Sequence, residues 1–214
     1  MTLSEDFLKF ACEKKALQFG DFSLKSGRQS PYFFNTGNFN SGSSLSQLAT
    51  FYADALIASG LEFDFLFGPA YKGISLAAAV ACALWSKYGK DVPFASDRKE
   101  LKTHGEGGSV LGAGGVLSAG GRKIVIVDDV ITAGTAIREA ISFIHNLGIN
   151  EIVGVVISLD RQERVSENSA ISAVQSVERE FGLQVISIGN LDSILNFSNF
   201  DEKVKLYRDK YRCE

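Results

Sequence analysis

The stretch IVIVDDVITAGTA, Ile124 to Ala136, runs four branched apolar residues into two adjacent aspartates, Asp128 and Asp129, and then into the small hydroxylated turn Thr132-Ala133-Gly134-Thr135. An apolar run of this kind reads as a buried strand of a parallel sheet. Ligands of such sheets bind beyond the carboxyl ends of the strands, so both carboxylates stand at the mouth of a crevice. Two ionised aspartates about 4 Å apart repel by about 4 kcal/mol at an effective dielectric of about 20, and they therefore require hydroxyl donors, a metal ion or solvent between them. A sugar diol with magnesium nearby meets that requirement. The turn behind the acids lets the backbone bend and aim several N–H groups at one point, while the helix that starts there adds partial positive charge: a phosphate cradle. The helix dipole supplies only about 0.3–1 kcal/mol per interaction, so the convergent N–H and hydroxyl donors carry most of the recognition. A plainer reading makes the aspartates a polar strand end that caps the next helix, with Thr132 and Thr135 as caps. For the threonines the two readings coexist, because capping and binding use the same donors. The stretch matches neither GxxxxGK[ST] nor GxGxxG, and acids ahead of a phosphate loop point away from nucleoside triphosphates.

A second concentration of chemistry lies in SDRKELKTHGEGGSVLGAGGVLSAGG, Ser96 to Gly121, which holds 8 of the chain's 21 glycines between Gly105 and Gly121. Arg98, Lys99, Lys102 and His104 crowd its first arm. Long glycine-rich loops inside compact domains are usually lids or binding segments, so this one is expected to be a cationic flap over a polyanionic ligand. Solvated loop charges are the commoner fate of such residues.

The elements that must position these groups are legible in outline. Ser4 with Glu5 and Asp6 makes a helix start, and Leu3, Phe7, Leu8, Ala11 and Leu17 recur at roughly helical spacing, with Gly20 as the stop. DFSLKSGRQSPYFFNTG suits a small hairpin and a loop, and Ser43 or Ser44 is placed to cap a helix running to about Ser59. FDFLFG, VPFAS, KIVIVDD, EIVGVVISLDR and VISIG read as strands, separated by an alanine-rich helix to about Tyr88, the helix IREAISFIHNLG and a helix from Ser169 to Phe181. LDSILNF and EKVKLYRDKYR read as two short helices, the second with a solvated basic face. This alternation predicts an α/β fold with a central, mostly parallel sheet flanked by helices. No repeat or linker divides residues 1–214, so a single domain is expected. His145 is assigned to the surface and Trp85 to helix packing.

Composition excludes several functions. A net charge of −3 lacks the broad cationic face of a nucleic-acid binder. No run of 18 apolar residues and no leader pattern occurs, which predicts a cytoplasmic protein without a membrane partner. Cys12, Cys82 and Cys213 are odd in number and lack CxxC spacing, which suggests neither disulfides nor zinc.

VDDVITAGTA resembles the phosphoribosyl diphosphate signature of the type I phosphoribosyltransferases. LKSGRQSPYFFN, LFGPAYKG, DRKELKTHGEGG and SLDRQER resemble the orotate branch of that family, so the likeness runs from Leu24 to Arg164. The resemblance implies a small N-terminal hood and a long flexible loop around the sheet, with 5-phosphoribosyl 1-diphosphate and orotate as substrates, Mg2+ as cofactor, and a homodimer whose loop residues are shared between subunits. By the same resemblance, Asp128 and Asp129 take the ribose hydroxyls, and the segment Val130, Ile131, Thr132, Ala133, Gly134, Thr135 and Ala136 takes the 5′-phosphate. Tyr71 and Lys72 go to the diphosphate, Lys99, Lys102 and His104 go to the leaving pyrophosphate as catalytic groups, and Arg98 counts among the substrate-binding residues. Phe33 and Phe34, read as part of a Ser-Pro-Tyr-Phe-Phe-Asn turn, are implied to pack against the pyrimidine, with Lys25 reaching the ligand. Taken alone, the two phenylalanines suit a core equally well. The resemblance puts Arg161 on the orotate carboxylate, a planar anion that suits a guanidinium fork. The residue types alone leave open an ion pair of Arg161 with Glu163 or Asp160. Two rivals share the Asp128 to Thr135 motif: a purine or uracil phosphoribosyltransferase, and a non-catalytic sensor of the sugar diphosphate.

Overall fold

The computed structural model of the chain describes residues 2–24, 27–102, 108–166, 169–197 and 202–213. Helix α1 (Leu3–Glu13) opens on a capping box in which Thr2 accepts from the Glu5 backbone and Glu5 reaches back to the cap. It buries Phe7, Leu8, Phe10 and Ala11. The helix ends well before Gly20, because Lys15 turns to φ 56° and Leu17 already belongs to β1. Strand β1 (Leu17–Ser23) pairs antiparallel with β2 (Gln29–Phe34), forming the hood. Phe33 and Phe34 thus stand on a strand rather than in the expected turn, and alternation sends them to opposite faces.

A 3-10 turn (Thr36–Asn38) leads to α2 (Gly42–Ala58), whose cap is Ser41 in a reciprocal box with Ser44, not Ser43 or Ser44. The short β3 (Phe65–Phe67) feeds α3 (Lys72–Tyr88), then come β4 (Phe94–Lys102), β5 (Gly108–Gly112) and α4 (Gly114–Ser118). The segment expected to be one long loop is therefore largely structured. Strand β4 continues through the charged SDRKELK run, and β5 returns antiparallel to it. Strand β3 pairs with β4 only at Phe94 and Ala95, so beyond Ala95 β4 keeps β5 alone beside it and tolerates the charges that make it read as a loop. The chain goes on through β6 (Lys123–Val127), α5 (Thr135–Leu147), β7 (Glu151–Asp160), α6 (Ala173–Phe181), β8 (Gln184–Asn190), α7 (Leu191–Phe197) and α8 (Glu202–Tyr211). Helix α6 starts later than Ser169, since Val165 N–H donates to the Ile171 carbonyl and closes a turn ahead of the Ser172 cap.

The main sheet has the order β5-β4-β3-β6-β7-β8 and is parallel except for β5. Val125 and Val127 of β6 join a core with α1, α2 and α3, while Ile124 and Ile126 join a second core with α5 and α6. Burial on both faces is why the central strands read as unbroken apolar runs. Trp85, expected to pack, is instead exposed on α3. Among the described residues no helix is long and apolar enough to cross a membrane.

Candidate active site

A cleft of about 450 Å³ lies beyond the carboxyl ends of β3 and β6, lined by Pro69 to Lys72 on one side and Asp128 to Ile137 on the other. The first wall depends on two glycines. A Cβ on Gly68 would stand 1.9 Å from the Gly73 carbonyl oxygen, so the turn before α3 closes only with bare backbone there. The Ala70–Tyr71 peptide in this turn is cis, and the Ala70 N–H donates to Asp97 Oδ1 at 2.6 Å. Tyr71 is exposed at the start of α3, and Lys72 points across the cleft.

The second wall carries both acids, each 8% exposed. Lys72 Nζ sits 2.5 Å from Asp129 Oδ2, and the Thr36 hydroxyl donates to the same oxygen at 2.7 Å. The repulsion expected of the pair is thus relieved at Asp129 by a cation and a hydroxyl. For Asp128, burial first and the neighbouring Asp129 charge second push the carboxyl up to about 7. Their backbone is gripped from below. The Tyr52 hydroxyl donates to the Asp128 carbonyl at 2.8 Å, and the Ser158 hydroxyl to the Asp129 carbonyl at 2.6 Å. Burial holds the Tyr52 phenol well above its usual range, so it stays a donor. Tyr52→Phe should cost about 1–3 kcal/mol by leaving a buried carbonyl unsatisfied. Urea unfolding at neutral pH checks this, and an unchanged midpoint would show that the bond contributes nothing.

Behind the acids, Gly134 caps α5 at φ 77° with no side-chain acceptor, which leaves the first N–H groups of the helix open toward the cleft. Thr132 and Thr135 are exposed beside it and neither caps the helix. The capping alternative also fails for the acids, whose carboxylates accept from Asp129 and Val130 N–H groups rather than from α5. Arg138 braces the loop through the Ala133 carbonyl at 2.7 Å and Glu180 at 2.8 Å.

A smaller cavity of about 230 Å³ shares Pro69, Ala70 and Ala136 with the cleft and is lined by Arg98 and Lys99. Lys99 lies 3.4 Å from Asp97 and 3.5 Å from Glu139, and Arg98 Nε donates to the Val110 carbonyl across the β4–β5 arm. At the end of β7, Arg161 lies 2.7 Å from Glu163 Oε1, with its guanidinium 4.8 Å from the Tyr32 ring. The ion pair with Glu163 raised by the residue types is present, although it is largely buried rather than superficial.

Residues 35–189 match the phosphoribosyl transferase domain family. The chain is 53% identical to the orotate phosphoribosyltransferase of Nitrosococcus oceani over 97% of its own length and 91% of that protein. Against the enzyme of that name from Pseudomonas fluorescens SBW25 the identity is 54%, over 97% and 94% of the two chains. The chain belongs to the orotate phosphoribosyltransferase family. A crystal structure of the Francisella tularensis orotate phosphoribosyltransferase superposes with a TM-score of 0.85 at 43% identity, covering 97% of this chain and 99% of that one.

Within this phosphoribosyltransferase fold the predicted residues fall into four groups. Lys72, Asp128, Asp129 and the Val130 to Ala136 loop converge on one cleft, as does the exposed Tyr71. Arg98 and Lys99 adjoin it, while Arg161, Phe33 and Phe34 do not line it. Phe33 stacks on Phe22 at 5.5 Å between ring centroids, whereas Phe34 meets Phe7 edge-on at 6.2 Å, against the core. Lys25, His104 and the Lys102 side chain lie outside the described residues. Sequence reasoning missed Thr36, Tyr52 and Ser158, since isolated hydroxyl residues in a helix, a strand or a turn give no signal of the backbone they will hold.

The donor set also bears on magnesium. Among the described residues no three His, Cys, Asp or Glu side chains gather as a metal cage. Two carboxylates beside an uncapped helix N-terminus suit an ion that takes one or two protein oxygens and completes its shell from ligand oxygens and water.

Proposed function

We propose that this chain transfers the phosphoribosyl group of 5-phosphoribosyl 1-diphosphate to N1 of orotate, giving orotidine 5′-monophosphate and diphosphate in pyrimidine biosynthesis. The observation that carries the reading is the buried Asp128-Asp129 pair set between an uncapped helix N-terminus and Lys72. That arrangement supplies donors for a phosphate, acceptors for a diol and a cation for a leaving anion within one cleft. Bound Mg2+ would neutralise part of the diphosphate charge, with Asp128 and Asp129 as the carboxylates available to it.

As the bond from C1 to the diphosphate oxygen lengthens, the ribose gains oxocarbenium character and the diphosphate gains negative charge. The carboxylates stabilise the first change, and Lys72, with Lys99 and Lys102 from β4, the second. Orotate N1 forms the new bond at C1 as the old one breaks and gives up its N–H proton to the departing diphosphate or to water, and Arg161 holds the acceptor by its carboxylate. Lys102 is the candidate to protonate the departing diphosphate, and His104 stands beside it in sequence. Lys25 and the hood strand β2 complete the acceptor side. The reading includes a homodimer with the β4–β5 arm shared between subunits.

The test follows orotate absorbance in a mixture of protein, 5-phosphoribosyl 1-diphosphate, magnesium and orotate, with each component omitted in turn and uracil or hypoxanthine offered instead. Orotate should be consumed only in the full mixture. Equal turnover of uracil, or consumption without the sugar diphosphate, overturns the reading, and undiminished turnover in excess chelator overturns the part assigned to magnesium. Sedimentation of the active species checks the dimer.

A further inference from the structure

Arg161 is held on three sides by groups that do not line the sugar-phosphate cleft. Glu163 Oε1 accepts from Arg161 Nε at 2.9 Å and lies 2.7 Å from Nη2, so one carboxylate oxygen occupies a whole side of the guanidinium. The Tyr32 ring covers its face at 4.8 Å, and the Tyr207 hydroxyl from α8 lies 3.4 Å from Nη2. An arginine carries five N–H donors, and among the described residues none of these contacts uses Nη1.

Glu163 is itself built in. Its side chain is 9% exposed, its Oε1 also accepts from the Tyr32 hydroxyl at 3.1 Å, and its Oε2 accepts from Arg28 Nη1 at 3.2 Å. The backbone around it is fixed on both flanks. Gln162 takes the left-handed φ of 51°, unusual for a residue with a Cβ, and its N–H is held by Asp160 Oδ1 at 2.9 Å. Arg164 N–H donates to the Tyr211 carbonyl at 2.9 Å, and Glu163 bridges Arg212. This reversed turn puts Arg161 and Glu163, two positions apart, in contact. Strain of this kind persists only where the surroundings over-determine it, and it clusters at ligand clamps. Within the hydrogen-bonded cluster, Arg28 and Arg161 share the one carboxylate of Glu163, which leaves donors of Arg161 uncommitted to it.

We propose that Glu163 is the positioning residue for Arg161: it takes the Nε and Nη2 side of the guanidinium and leaves the Nη1 side for the carboxylate of the acceptor base, and so sets the preference for a carboxylated pyrimidine without touching it. The proposal rests on the reading that orotate is the acceptor and Arg161 its carboxylate partner.

The experiment is a double-mutant cycle on the full-length enzyme with steady-state constants for both substrates. E163Q keeps the shape and removes the charge. It should raise the KM for orotate by about tenfold or more, leave that for 5-phosphoribosyl 1-diphosphate within about twofold, and lower the orotate-to-uracil ratio of kcat/KM. In the R161A background the same change should alter the orotate KM by less than about twofold, because nothing remains to position. Equal rises for both substrates, or an undiminished orotate effect in that background, overturn the role of Glu163. An R161A enzyme with unchanged orotate KM would instead sink the Arg161 assignment, a result distinct from the failure of Glu163 alone. Should E163Q not fold by circular dichroism, E163D carries the test, with a shorter reach, the charge retained and the same orotate-selective rise expected.

Discussion

Asp128→Asn should make the protein more stable at pH 8 and slow its turnover by about 10²-fold or more. Burial and the Asp129 charge push the Asp128 carboxyl from its ordinary 3.8 up to about 7. Between those two values the folded protein keeps a proton that the unfolded chain has lost, so stability falls as pH rises through the window and the full cost stands above it. A rise of this size corresponds to about 4 kcal/mol at most, since relaxation and the coupling to Asp129 reduce it. Asparagine removes the charge but keeps an oxygen for the Asp129 N–H, which Asp128 Oδ1 accepts at 2.8 Å. The variant should therefore melt higher than the parent at pH 8 and nearly level with it at pH 4. Thermal unfolding at both values decides the matter, and an equal difference at both would show that the charge is not the cause. The turnover loss follows because a neutral amide cannot favour the developing cation on the sugar. Higher stability with lower turnover in this variant would be the usual exchange of stability for activity.

Gly68→Ala should cost about 3 kcal/mol or more and abolish sugar-phosphate binding, a large effect for adding one methyl group. The added carbon would lie 1.9 Å from the Gly73 carbonyl oxygen and 2.8 Å from Ala77 Cβ. Both clashing residues, Gly73 and Ala77, belong to α3, which cannot retreat without leaving its packing on β3 and the cleft wall that begins at Pro69. Gly115→Ala is the matched control, because a Cβ there meets nothing within 4 Å. In a helix that change should be neutral or stabilising by up to about 1 kcal/mol. Denaturant midpoints of the two variants, with calorimetry against 5-phosphoribosyl 1-diphosphate, separate local crowding from any general intolerance of alanine.

Much of the cleft was legible because its wall from Asp128 to Ala136 is continuous in sequence: a buried strand, two acids and a glycine-capped helix follow one another and need no distant partner to be recognised. The acceptor side was harder. Arg161 could be named from the strand that ends beside it, but its cover comes from Tyr32 and Tyr207, 129 residues behind and 46 ahead, and no local spacing signals such a meeting. Proline and serine ahead of Phe33 and Phe34 suggest a turn, whereas pairing with β1 makes the segment a strand in which Tyr32 is buried and Phe34 packs against the core. The β4–β5 arm differs from its expected loop for a related reason. Charge and glycine content report solvent exposure, and an edge hairpin is as exposed as a loop. Ser158 gives no signal in its apolar run beyond that of a strand residue, although a hydroxyl at 0% exposure has to find a partner.

The two walls of the cleft follow strands that are neighbours in the sheet, Phe65 standing opposite Ile124. Nearly sixty residues of chain separate those partners, so this seam is a contact of high order, of the type that forms late and slowly. No fragment that stops short of β6 can present a half-built cleft to the sugar, since the acids and the open helix end arrive together with the pairing. Ligand added to refolding chains should accordingly leave the folding rate unchanged and retard only the reverse reaction, acting as a lock on the finished seam rather than a template for it.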